Sequence, residues 1–591
     1  MESRWSIPPV AGATTDGMPG MSLGKTVVVI GAGINGAAVA RELTLSGVGV
    51  IVVDAGDIAA GATAWSTRLI HGGLRYLEFG EIGLVRESLV ERNRLVRLAP
   101  HLVRQLQFYL PVQGRWGGLW AAAARLVGWE SLAGVWLGPR GRGSWTVGIG
   151  LSLYDLLAAG AGWPRHRMVR AGSARGLPLV DLQAFPFAGI YADAQLLFPE
   201  RFAVELLVDA RGIAAAAGTR FDVYNHQQIR LRPDGMLVIG QLEVRPDAII
   251  NATGAWVDKT LESLFPPAGR QLIGGTKGSH LIVRCPPLRA ALADYGVYAE
   301  AADGRPVFVL PFGPDLVLVG TTDIPFSGDP ATARADEAEI GYLLTAVARL
   351  FPAIAVGRDH VQQHYCGVRP LPFVGNARGA GLRLPAGVTR RHLLVRQAES
   401  PVPLWSIVGG KLTTCRSLAE TTAAEVLGTL GLPVVGNSRE RPLPGACDGP
   451  SRAAAVQQGH AAALAAGVSP AKAAAVADRL VGLFGARAAA VWQDADGCLI
   501  RGVGLPMAAV GFCVRNEWAA TLDDVIERRL MLSVHEGLCI QAIEDVAVAL
   551  ARAGILPVDK VASAVAESVS RLATKYGRIL PPGNITHGSR P

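Results

Sequence analysis

Apolar residues fill every position but one of TVVVI at 26–30, and a second apolar run, GVGVIVV, ends in Asp54. Between them lie a glycine-rich turn, GAGING, and a stretch whose apolar positions recur with helical period, so residues 26–57 predict strand, tight turn, amphipathic helix and strand. Farther along, HLIVRC, PVFVLPF and LVLVGTTD are apolar runs within 266–392 that predict an antiparallel sheet. From about 450 to 575 the pattern becomes alanine-rich and helical, which predicts a separate all-helical domain, and the turn residues PLPGACDGPS at 442–451 read as the linker before it.

The first unit has the spacing of a dinucleotide site. Gly31 permits a sharp turn after the strand, Gly33 permits a pyrophosphate to approach the backbone, and Gly36 permits close packing of helix on sheet. The helix N-terminus then offers unpaired N–H groups and its positive dipole end to phosphate oxygens. Asp54 is placed to accept hydrogen bonds from an adenosine ribose.

The residues after the second strand are not those of a nicotinamide enzyme. AGATAWSTRLIHGGLRYLE at 60–78 packs Ser66, Thr67, Arg68, His71, Gly72, Gly73, Arg75 and Tyr76 into a small-residue loop suited to winding around a large flat cofactor. With this loop the chain resembles the FAD-dependent, quinone-linked glycerol-3-phosphate dehydrogenases. The resemblance continues in order through AIINATGAWV (248–257), TKGSHLIV (276–283), FVLPF (308–312), VGTTD (319–323), YCGVRPL (365–371) and VGGKLTTCRSLAE (408–420). VRNEWAATLDDVIERRLML at 514–532 looks like the family's helical C-terminal domain. The first twenty or so residues, 113–147 and parts of 156–190 fall outside it.

The resemblance implies an α/β architecture in three parts. A discontinuous Rossmann-like FAD-binding domain takes 24–108, 200–265 and 393–435, an antiparallel-sheet substrate domain takes 109–199 and 266–392, and helices fill 450–591. It also implies FAD contacts from Gly31, Ala32, Gly33, Asn35, Gly36, Asp54, Ser66, Thr67, Arg68, His71, Gly72 and Gly73. Thr253 and Gly254 join them, and Gly410, Lys411, Leu412 and Thr413 form a second glycine turn close to the flavin ring.

If the substrate is glycerol 3-phosphate, the site needs a hydride acceptor, a group for the C2 hydroxyl proton, and cations for a phosphate dianion. Arg75 and Arg369 match positions that the family uses around the substrate, and a guanidinium can clamp phosphate oxygens with two parallel bonds. Lys411 adds a compact charge, with Thr413 and Tyr76 as neutral partners. His280 is the expected general base because imidazole titrates near neutrality, and Lys277 is expected to orient it. Asp323 is read as a turn residue. A lysine at a helix N-terminus opposes the dipole, which makes a nearby anion the better reading of Lys411 than a cap.

Seven cysteines show no CxxC pair and no metal-ligand spacing, so buried thiols without disulfides are expected, and no metal. A net charge of +8 favours anionic ligands and lipid, but no basic run or nucleic-acid motif accompanies it. Residues 1–23 lack the apolar core of a secretory signal and read as a disordered lead-in.

The departure from the family is 114–145, where Trp116, Trp120, Trp129, Trp136 and Trp145 mix with Arg115, Arg125, Arg140 and Arg142. Arg125 and Glu130 leave no charge-free span long enough for a bilayer. The composition reads as an interfacial segment on an anionic membrane surface, the competing reading being an internal or subunit contact. The expected activity is oxidation of glycerol 3-phosphate to dihydroxyacetone phosphate, with electrons passed to membrane quinone. The expected place is the cytoplasmic face of the cell membrane, peripheral or monotopic, in a homodimer. Alternatives are an oxidase using oxygen, another hydroxy-phosphate substrate, and a non-catalytic flavoprotein.

Overall fold

The computed structural model describes residues 24–114, 143–158, 162–265, 271–373 and 392–581. Three separate chain segments feed a six-stranded sheet in the order Leu393–Gln397, Leu404–Val408, Ala248–Asn251, Thr26–Ile30, Gly49–Val53, Phe221–Tyr224. The five strands from Leu404–Val408 onward are parallel, and Leu393–Gln397 is an antiparallel edge. Alternate residues of the first strand enter different cores: Val27 and Val29 pack with the helices Ile34–Leu45, Pro199–Ala217 and Cys415–Thr429, while Val28 and Ile30 pack with Val257 and Leu261 on the other face. A strand buried on both faces is apolar throughout, which is why TVVVI is legible in the sequence.

The second sheet has ten strands and is mainly antiparallel. Its frame is the long pairing of Ile273–Arg284 with Val361–Pro372, which sets His280 beside Tyr365 and Thr276 beside Arg369. Two features differ from the sequence-based expectation. The boundary at 108 cuts through the strand Val103–Val112, which pairs along its whole length with Phe187–Leu196 and so belongs to the second sheet, as does Leu69–Ile70. The helical region is also not a separate body: Val476, Leu480 and Ile543 share one core with Phe108, Tyr191 and Phe312.

Buried ion pairs tie the helical region to the six-stranded sheet as well. Asp57, just before the loop at 60–78, accepts from Arg529 at 2.7 and 2.8 Å and also from Arg528. Arg201 of the helix Pro199–Ala217 holds Glu517 in a two-pronged pair, with one bond at 2.8 Å. Six of the seven cysteines are buried, whereas Cys498 is exposed, against the expectation of buried thiols throughout.

Candidate active site

The glycine turn is shaped by close approach. Gly31 has φ +103°, and a β-carbon there would stand 2.7 Å from the Ala252 carbonyl oxygen. A β-carbon on Gly36 would overlap the Gly31 carbonyl oxygen, so the helix Ile34–Leu45 can begin where it does only with glycine at that position. Gly33 is different: it has ordinary φ, and its β-carbon would meet only Thr63 Oγ1 at 3.4 Å, facing a cavity of about 780 Å³. Its role is to leave that cavity open.

Asp54 borders the same cavity and closes the turn, accepting from Ala32 N at 2.7 Å and Gly56 N at 2.9 Å. Burial pushes its carboxyl above the usual range, against those two bonds. Asn35 donates to Gly409 O at 3.3 Å, so the first glycine turn is fastened to the second, where Gly409 and Gly410 both have positive φ. Thr253 is held by Asn251, its hydroxyl donating to Asn251 Oδ1 at 2.7 Å, and with Gly254 it lines the cavity wall. Gly31, Gly33, Asn35, Gly410, Lys411, Leu412 and Thr413 line it too.

The loop after Asp57 divides into lining and supporting residues. Ser66, Thr67, Arg68, His71 and Tyr76 border the cavity. Arg68, however, has positive φ and is bonded through both terminal nitrogens to Glu200, at 2.9 and 2.7 Å, so it is committed to holding the loop. The Thr413 hydroxyl accepts from His71 N at 3.1 Å, joining the loop to the second glycine turn. Ala32, Gly36, Gly72, Gly73 and Arg75, all expected at cofactor or substrate, are not among the lining residues. Gly72 N donates to Tyr154 Oη at 2.9 Å in a packed contact, and Gly73 lies against the Tyr76 ring. Arg75 Nε is buried and has no hydrogen-bond partner among the described residues.

Five expected substrate-side residues do meet in the cavity: Tyr76, His280, Arg369, Lys411 and Thr413. Lys411 Nζ stands 3.9 Å above the Tyr76 ring, a cation–π contact. Arg369 lies over Gly278 with Nη1 donating to Asp323 at 2.9 Å and Nη2 donating to Thr321 Oγ1 at 2.8 Å. Asp323, read from the sequence as a turn residue, is thus the partner of the expected phosphate clamp. His280 is 1% exposed, stacks on Tyr365 at 4.9 Å, and has Nε2 2.9 Å from Thr67 Oγ1. Burial, then the nearby cations Arg369 and Arg68, push its pKa well below the usual imidazole value, which corrects the expectation of titration near neutrality. Lys277 does not orient it. Three residues along a strand reverse the face, and Lys277 Nζ instead reaches Glu339 at 2.7 Å and Asp336 at 3.1 Å.

Sequence reasoning misses other lining residues: Trp65, Gln227, Trp256, Lys259, Arg334, Arg571 and Lys575. Gln227 follows the last parallel strand, as Asp54 follows the strand beside it, and its N–H donates to Asp54 O at 3.0 Å, a position that the strand order suggests once it is known.

The cavity fits an extended dinucleotide: two helix-opening glycine turns and the Asp54 carboxylate lie along it, and a side chain on Gly33 would enter it. Residues 26–414 match the family described as FAD dependent oxidoreductase. A glycerol-3-phosphate dehydrogenase of Synechocystis is 34% identical over 68% of this chain and 70% of its own length. The aerobic glycerol-3-phosphate dehydrogenase of Escherichia coli is 31% identical over 67% and 72%. A D-erythritol 1-phosphate dehydrogenase of Brucella abortus is 30% identical over 86% and 94%. The glycerol-3-phosphate dehydrogenase of Bacillus halodurans, solved with FAD, superposes with a TM-score of 0.67 at 21% identity, covering 93% of this chain and 95% of that one. The chain therefore belongs to the FAD-dependent oxidoreductases, in the group of the glycerol-3-phosphate dehydrogenases, and FAD is its cofactor.

Proposed function

We propose that the protein oxidises the C2 alcohol of sn-glycerol 3-phosphate to the ketone of dihydroxyacetone phosphate and delivers the electrons to membrane quinone. The observation that carries this reading is the convergence of His280, Arg369, Lys411 and Tyr76, from distant chain segments, on the cofactor cavity. The names of the Synechocystis and Escherichia coli relatives support the substrate.

Oxidation of the alcohol releases a hydride and a proton. Bound FAD supplies the hydride acceptor. Arg369 and Lys411 provide positive charge for the phosphate, and the Asp323 and Thr321 bonds hold Arg369 in one orientation. His280 is neutral at rest, so one ring nitrogen carries a lone pair for the hydroxyl proton. An anionic substrate beside Arg369 offsets the cation that depresses His280 and raises its proton affinity when it is needed. Lys411 is the second candidate for that proton. Thr413 also fastens the loop that carries Tyr76, through its bonds to the His71 backbone.

The Brucella abortus relative favours a second substrate reading, a longer polyol phosphate. Anaerobic bleaching of the flavin absorbance decides: glycerol 3-phosphate should reduce the flavin, glycerol should not, and D-erythritol 1-phosphate should be slower. Bleaching only by the longer substrate would replace the assignment. Reoxidation by a quinone analogue against oxygen separates dehydrogenase from oxidase.

The membrane part of the reading places the enzyme peripherally or monotopically on the cytoplasmic face of the cell membrane. Most of the tryptophan-rich segment lies outside the described residues. Its C-terminal end is described: the helix Ser144–Leu157 buries Val147, Leu151 and Tyr154 and exposes Trp145, Ile149 and Leu156 along the opposite face. Exposed Arg165 and Arg167 lie beyond its end, which suits an anionic lipid surface. Among the described residues no helix is long and apolar enough to cross a membrane. The competing occupant of that face is a second copy of the chain, in a homodimer.

A further inference from the structure

The last helix, Val561–Tyr576, reaches the cofactor cavity, which nothing in its sequence suggests. A second, more open cavity of about 510 Å³ lies against this helix, and Arg334, Arg571 and Lys575 line both it and the large cavity. Arg571 and Lys575 stand four residues apart, so one helix face presents both to the junction. Arg334 comes from the segment before the helix Glu337–Leu350.

The three cations are not equivalent. Arg571 is committed, with Nε 2.6 Å from Glu527 and 3.3 Å from Asp523. Arg334 donates through Nη1 to the carbonyls of Ala331 and Ala333, at 2.9 and 2.8 Å. Lys575 Nζ stands 4.9 Å over the Trp65 ring and 5.1 Å over the Tyr576 ring. Among the described residues neither Arg334 nor Lys575 has a carboxylate within ion-pair distance. The nearby Glu527 is already bonded to Arg528, Arg571 and Tyr576, and Glu567 is the acid of the outer cavity. Burial, with Arg571, Arg528 and Arg334 adding to it, brings the Lys575 amine down to about 8 against the pull of Glu527. Glu527, the acid that acts on Lys575, lies beyond ion-pair distance and is shared with Arg528 and Arg571, so positive charge at the junction is only partly offset and an arriving anion is favoured there. Trp65 also links the junction to the substrate side, because its side chain packs on Gly367, two residues before Arg369.

We propose that Lys575 and Arg334 form a phosphate subsite at the mouth of the cofactor cavity, completed by the C-terminal helix. Two molecules bring that chemistry: the substrate's phosphate monoester, an arm that rests on the substrate reading above, and the diphosphate of FAD, an arm that does not.

The test uses full-length holoenzyme and the variants Lys575→Met, Arg334→Met and Lys575→Arg. If the subsite holds the substrate, each Met variant raises KM for glycerol 3-phosphate, and the Kd of inorganic phosphate read from flavin absorbance, by about tenfold to a hundredfold. FAD retention is then unchanged. If it holds the cofactor, the Kd of FAD for reconstituted apoprotein rises by a similar factor and KM follows only through lost flavin. In both cases Lys575→Arg recovers most of the effect, which a merely packing role for the side chain would not produce. KM, phosphate affinity and FAD affinity all within about twofold of wild type in Lys575→Met and Arg334→Met would overturn the subsite. Should Lys575→Met fail to fold, Arg334→Met decides, since Arg334 is exposed in a loop. Failure of wild type to be reduced by glycerol 3-phosphate would sink the substrate reading alone, because phosphate and FAD affinities still report the subsite.

Discussion

The Thr67 hydroxyl lies 2.9 Å from His280 Nε2, joining the loop of the cofactor sheet to the frame strand of the second sheet. The group expected to take the substrate proton is therefore positioned by the loop expected to wrap the flavin. Stacking on Tyr365 fixes the ring's plane and the threonine fixes its rotation, so His280 has one orientation.

His280→Ala should retain FAD and slow anaerobic flavin reduction by about a hundredfold to ten-thousandfold, the usual contribution of a general base. Because burial and two arginines hold the imidazole well below its ordinary value, the wild-type rate should show no inflection near pH ~6.5. Stopped-flow reduction across the acid to neutral range checks both. Unchanged reduction in the variant would pass the role to Lys411.

Gly33→Val and Gly36→Ala should fail in different ways. A β-carbon on Gly36 overlaps backbone, so even alanine should lower Tm and lose FAD together. Gly33 borders open space, with Thr63 at 3.4 Å as the nearest atom, so Gly33→Val should fold and still lose FAD by filling the place of the pyrophosphate. Flavin-to-protein absorbance ratio beside a thermal melt separates them. A flavin-loaded Gly33→Val would reject the cradle.

The difference between these two glycines also marks what sequence can show. Gly31 and Gly36 are legible because close backbone approach forces the residue type, Gly33 because a phosphate needs the open space in front of it, and the parallel strands because burial on both faces leaves no polar position. Arg68 is not, because its partner, Glu200, lies 132 residues away, and nothing local distinguishes a guanidinium aimed at a carboxylate from one aimed at a cofactor. Lys575 escapes for the same reason in reverse: on its helix it looks like a solvent-facing lysine, and only the docking of that helix against Trp65 brings it to the cavity.

The helical region should detach or unfold first in acid. Glu517 and Glu527 are fully buried, which alone would raise them, yet Arg201 for the first and Arg528, Lys575 and Arg571 for the second lower them from 4.5 to about 2, and against the same burial Arg529 and Arg528 lower Asp57. Carboxylates depressed in the folded state contribute stability that is full above the unfolded value and lost as pH falls toward the folded one. The window therefore runs from about pH 4.5 down to about 2, and each glutamate contributes on the order of 3 kcal/mol across it. Asp57→Ala should cost about 3–5 kcal/mol at neutral pH, since it strands two buried guanidinium groups. Denaturant melts at several pH values test this, and an Asp57→Ala protein of wild-type stability would contradict it.

The face made by Trp145, Ile149 and Leu156 should bind anionic lipid. These side chains are 57%, 60% and 71% exposed at spacings of four and seven, which puts them on one side of the helix. Burying such a side chain in the headgroup boundary is worth about 1.5–3 kcal/mol, so two acidic replacements should reduce partitioning by about a hundredfold or more. Ile149→Asp with Leu156→Asp leaves the buried face of the helix untouched, so turnover with a soluble dye should persist while quinone reduction falls. Flotation with vesicles containing phosphatidylglycerol reads the first effect directly. If the double variant floats as wild type does but becomes monomeric by light scattering, the face is a contact between two copies of the chain, and quinone must be reached through another surface.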